Sequence, residues 1–67
     1  MKDIEKLKAE HKELKERLHK LIDFMNSKVY YSLDSSEKSL LGTQRAGMEI
    51  YLNALGKRLY GKGEWGN

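Results

Sequence analysis

Apolar residues recur near the start of this chain at alternating steps of three and four: Ile4, Leu7, Leu14, Leu18, Leu21 with Ile22, and Met25. His11 fills the slot between Leu7 and Leu14. Such spacing lays one greasy stripe down a single side of an α-helix, and a helix with one apolar stripe must cover it with another element. The residues between are mostly Lys and Glu, good helix formers, with Glu13 four residues before Arg17 and Glu16 four before Lys20. The pattern predicts a first helix over about residues 2–26.

Asn26 and Ser27 interrupt it, and Lys28-Val29-Tyr30-Tyr31-Ser32-Leu33 lacks the charged filler that precedes. Asp34, with Glu37 three residues later, reads as a capping box that starts a second helix, and Leu33 before the cap is placed to staple onto it. Leu40, Leu41, Gln44, Met48, Tyr51, Leu52, Leu55 and Leu59 again follow three-four spacing, and Gly61, Gly63 and Gly66 then end the pattern. The expected organisation is a helical hairpin over 1–60: a helix at about 2–26, a turn at 27–34 and a helix at about 35–60. A flexible Gly-rich tail over 61–67 carries Trp65 as a partner contact or as part of a frayed end. Gly42, Gly47 and Gly56 fall inside the second helix, where each costs roughly 1 kcal/mol relative to alanine. They admit a close neighbour, or they are merely tolerated.

A chain of 67 residues builds one small core at most. Small domains are usually rescued by disulfides, a metal or self-association, and this one has no cysteine and two histidines, His11 and His19, eight residues apart. Two lone helices cannot shelter both stripes, so the expected fold class is all-α: an antiparallel two-helix hairpin assembling into a homo-oligomeric helical bundle. No apolar run approaches the roughly 20 residues of a membrane span, and the charged N-terminus does not read as a signal peptide. A cytosolic protein with no membrane contact is expected.

The formal charge is +3, unevenly spread. Residues 45–62 carry Arg45, Lys57, Arg58 and Lys62 against Glu49 alone, which gives the second half a mild preference for anions. This is thinner than a DNA-binding stripe, and no DNA partner is expected. No nucleophile-base pair, metal cage or matched carboxylate pair is convincingly spaced, so the chain reads as a non-enzyme without cofactor or metal. His11 fixes register, lies exposed, or meets a symmetry mate across an oligomer axis. At the turn, Lys28, Tyr30 and Tyr31 join a cation to two flat rings, with Arg45 one to two turns beyond the cap; tyrosines beside a turn also serve simply as core plugs.

The order of pieces from Leu18 to Leu59 is more specific than any one of them: Leu21-Ile22-Asp23-Phe24, Tyr30, Leu33-Asp34-Ser35-Ser36-Glu37, Leu40-Leu41-Gly42-Thr43-Gln44, Met48-Glu49-Ile50-Tyr51 and Arg58-Leu59. This string resembles the phage anti-CBASS cyclic-nucleotide sponges, a helical-hairpin family related to one group of anti-Thoeris sponges. Asp34 stands where Ser is commoner at the cap. The resemblance implies compact homo-oligomers, commonly hexamers, that act without chemistry in the cytoplasm of the infected bacterial host. They hold cyclic di- or trinucleotides between protomers and so keep the defence effector off. On that basis Lys28 or Arg45 is expected on phosphate and Tyr30 or Tyr31 on a base, with His11 also a candidate ligand-binding residue. The alternative is a non-catalytic oligomeric helical adaptor that binds another protein through an exposed apolar stripe.

Overall fold

The computed structural model describes residues 2–60, and these are helical apart from short connections. The helices are α1 (Lys2–Met25), α2 (Lys28–Ser32) and α3 (Ser35–Tyr60). Gly61, Gly63, Gly66 and Trp65, on which the expected helix end and tail rest, lie outside the described residues. Among the described residues no helix is long and apolar enough to cross a membrane, and no group of three or more His, Asp or Glu is placed to hold a metal.

The break after α1 is made by local hydrogen bonds. The Asn26 N–H is shared between the carbonyls of Ile22 and Asp23, at 3.1 and 3.2 Å, and the Ser27 N–H donates to the Phe24 carbonyl at 2.9 Å. Ser27 then caps the next turn by accepting from the Tyr30 N–H at 3.3 Å. The expected turn at 27–34 therefore contains one short helix, α2, which Leu33 closes in an extended conformation. Asp34 opens α3: its Oδ1 accepts from the Glu37 N–H at 2.8 Å, and its carbonyl accepts from the Lys38 N–H at 3.1 Å. The cap is one-sided, since the return bond from the Glu37 side chain is not formed among the described residues.

Packing of α1 follows its stripe: Leu14 and Leu18 are buried, and Ile4, Leu7, His11, Leu21, Ile22 and Met25 are half-buried. On α3 the inward row is Leu41, Arg45, Met48, Leu52, Leu55 and Leu59, with Leu55 fully buried. Leu40, Gln44 and Tyr51, read from the sequence as part of that row, are exposed instead. Apolar side chains on α3 are divided between two sides of the helix: Leu40 lies on the side away from α1, while Tyr51 sits at the margin, exposed along its length but reaching α1 with its hydroxyl. Contacts between α1 and α3 join residues far apart in sequence: Gly56 lies against His11, and the Tyr51 hydroxyl bonds the Glu10 carboxylate. Among the described residues only Leu14, Leu18 and Leu55 are buried hydrophobic residues, a thin core even for a chain of this size.

Candidate functional site

Helix geometry brings His11 of α1 and Gly56 of α3 to the same level of the packed pair. Without a side chain at Gly56 the helices leave a groove of about 540 Å³, in the range of small-molecule sites. Leu18 and Leu52 give it an apolar floor, and His11, Glu49, Asn53, Lys57 and Tyr60 supply polar groups around it. The His11 ring meets Tyr60 edge-on, with centroids 5.6 Å apart and planes at 83°, while Tyr60 keeps most of its surface open to solvent. Lys57 adds a cation. The one acid in the lining, Glu49, is matched by Arg45, whose Nε lies 3.2 Å from Oε2 one helical turn away. Exposed ring, ammonium, imidazole and amide together can take a flat, anionic ligand, with the ring for stacking and the nitrogens for phosphate oxygens and base edges.

A second cluster closes the turn. Tyr30 packs edge-on against Phe24 at 6.4 Å and against Tyr31 at 5.5 Å. The cation over these rings is Lys38, its Nζ 5.8 Å from each of the two tyrosine centroids. Lys28, read from the sequence as the cation of this cluster, is exposed on α2. Lys38 was legible only as part of the first turn of α3, because its partners come from α2 and the sequence does not say how the two helices fold over each other.

The structure thus separates the five sequence candidates. Tyr30 and Tyr31 share the turn cluster, with Lys28 on the same short helix. His11 lies in the groove, roughly 20 Å along α1 from Phe24 at 1.5 Å per residue. Arg45 faces Glu49, at the edge of that groove, rather than the tyrosines. Lys57, Tyr60, Asn53 and Gly56 are groove residues that pattern reading did not select. The signal that could have found them is that His11 interrupts the apolar row of α1 and Gly56 stands beside the Leu52–Leu55–Leu59 row of α3.

Neither curated proteins nor solved structures gave a match to this chain. A family model described as Sequestin does match, over residues 1–60 of the 67, and the chain therefore belongs to the Sequestin family.

Proposed function

We propose that this protein is a non-catalytic, homo-oligomeric helical hairpin that sequesters cyclic di- or trinucleotide second messengers between protomers. In the cytoplasm of an infected bacterial host, this would keep the CBASS effector inactive. The observation that carries the reading is membership of a family whose name denotes sequestration, joined to a groove that offers an exposed Tyr60 ring beside Lys57 and His11. A cyclic dinucleotide repeats its base and its phosphate, so two copies of one short chain can supply the same ring and the same cation twice. We assign base stacking to Tyr60, phosphate contact to Lys57, and a base-edge or phosphate hydrogen bond to His11. Tyr30 packs into the aromatic cluster at the turn, and Tyr31, 64% exposed there, offers a second stacking surface.

Native mass spectrometry with a panel of cyclic di- and trinucleotides tests the reading, with stoichiometry and ligand class read together. Binding of one class at a fixed ratio per oligomer is expected; a chain that holds none of the panel overturns it. The alternative, an oligomeric helical adaptor for another protein, draws on the exposure of Leu40 and Ile50 on α3. It differs in a second readout: a sponge gains thermal stability from the nucleotide by mass action, and an adaptor does not.

A further inference from the structure

We propose that a second copy of this chain docks on the outer side of α3, antiparallel to it, along Leu40, Gly47, Ile50 and Ala54, with Gly47 at the twofold axis. The inference rests on the self-association in the reading above and not on its ligand.

Leu40, Gly47 and Ala54 recur at steps of seven, and at roughly 100° per residue they fall within about 20° of one line along the helix. That line lies about 130° around α3 from the row that meets α1, so covering one leaves the other bare. It is bare in the chain alone: Leu40 is 62% exposed, Ile50 is 71% exposed, and a Cβ built on Gly47 would find nothing within 4 Å. The Thr43 hydroxyl on the same side is taken up inside the helix, donating to the Ser39 carbonyl at 3.1 Å. A glycine at the centre of such a stripe weakens its own helix and lets a neighbouring backbone approach. Nothing among the described residues uses that space.

Charge decides the direction and the occupant. Beside this line the first turn of α3 carries Glu37 and the last turn carries Arg58, while Lys38 projects from the far side of the helix over Tyr30 and Tyr31 and Lys57 from the opposite flank. An antiparallel pair that sets Gly47 on the partner's Gly47 sets Leu40 on the partner's Ala54 and brings each Glu37 close to the partner's Arg58 on the same flank. A parallel pair would set Glu37 against Glu37 and the basic ends against each other, which is unfavourable. The stripe is therefore complementary to itself in one orientation, as a twofold interface requires.

The chain contains no cysteine, so introduced thiols report the geometry without background. Gly47→Cys, Leu40→Cys and Ala54→Cys variants of the full chain are oxidised at micromolar concentration and read on non-reducing gels, with helicity checked by circular dichroism. Gly47→Cys is expected to cross-link to itself. Leu40→Cys and Ala54→Cys are each expected to stay uncrosslinked alone, since like positions lie about 20 Å apart, and to cross-link when mixed. The mixed pair leaves Gly47 intact, so a Gly47→Cys variant that spoils the close approach does not decide the outcome. Self-cross-linking of Leu40→Cys, or the absence of any cross-link, overturns the interface. Cross-links in the expected pattern with no nucleotide-induced thermal shift would sink the ligand reading alone, and a shift without the cross-links would sink this interface alone.

Discussion

Gly56 of α3 lies directly against the imidazole of His11 of α1: a Cβ on Gly56 would stand 3.6 Å from Nε2 and 4.0 Å from Cδ2. Both distances are ordinary van der Waals contacts, so the glycine is not forced by a clash at the first carbon. What it keeps open is the space beyond, where the groove runs between Leu18 and Leu52 toward Tyr60. The helix thus gives up propensity at a place where the gain is volume, which ties a local cost in α3 to the capacity of the site.

Two substitutions at this position should therefore diverge. Gly56→Ala fits the available space and recovers helix propensity, so unfolding stability should rise by about 0.5–1 kcal/mol with ligand affinity nearly unchanged. Gly56→Leu must displace His11 or fill the groove, and affinity for the cyclic nucleotide should fall at least tenfold, about 1.4 kcal/mol. Thermal melts and titration calorimetry separate the two effects, and full binding by Gly56→Leu would remove the groove from the site.

Leu55 is the one fully buried side chain of the described core, with no exposed surface. Truncation to alanine removes apolar burial and leaves a cavity between α1 and α3, a loss of about 2–5 kcal/mol. With only Leu14 and Leu18 beside it as buried hydrophobic residues, that loss should leave Leu55→Ala largely unfolded at micromolar concentration. Urea titration followed by circular dichroism measures it. A variant with a wild-type midpoint would mean that the packing of α1 on α3 is not what holds the fold.

The sequence specifies the inward face of α1 more fully than that of α3, for a physical reason. On α1 the residues chosen by spacing, from Ile4 to Met25 with His11 among them, are the ones that turn inward, because Lys and Glu occupy the remaining sides and leave one solution. On α3 two apolar rows compete, and spacing alone does not say which meets α1: Leu40 lies outward, and Tyr51 is exposed at the margin, bonded to Glu10 of α1. Arg45, one of two candidate phosphate contacts by pattern, occupies a slot in the inward row and pairs with Glu49. The turn tyrosines were seen as a cluster, but their cation was not, since Lys38 reaches them only once α3 has folded over α2.

The Asp34 cap is legible in both sequence and structure, and its worth can be measured. Its Oδ1 accepts from the Glu37 N–H at 2.8 Å, the only bond by which the side chain holds the first turn of α3 among the described residues. Asp34→Ala should cost about 1 kcal/mol, and Asp34→Ser, which keeps an acceptor, only a few tenths. Equal losses for the two would mean that the charge of Asp34, rather than its hydrogen bond, stabilises the helix start.

The turn and the groove should respond differently to substitution of their cations and rings. Lys28 is exposed, and the Arg45–Glu49 pair is open to solvent, so it contributes at most about 0.5 kcal/mol to the helix. Lys28→Ala combined with Arg45→Ala should therefore leave the fold intact and reduce nucleotide affinity only slightly, through the loss of general positive charge. Lys57→Ala combined with Tyr60→Ala removes the ammonium and the stacking ring of the groove itself. Stacking on an aromatic ring contributes about 1–3 kcal/mol per base, and a charged hydrogen bond to phosphate about 1.5–3 kcal/mol, so affinity should fall by two orders of magnitude or more. Because Tyr60 is 71% exposed and Lys57 is exposed, neither change touches the core, and the melting temperature without ligand should stay close to wild type. Calorimetry on the two double variants orders the clusters directly: a larger loss from the Lys28 and Arg45 pair would return the site to the turn and leave the groove without a part in binding.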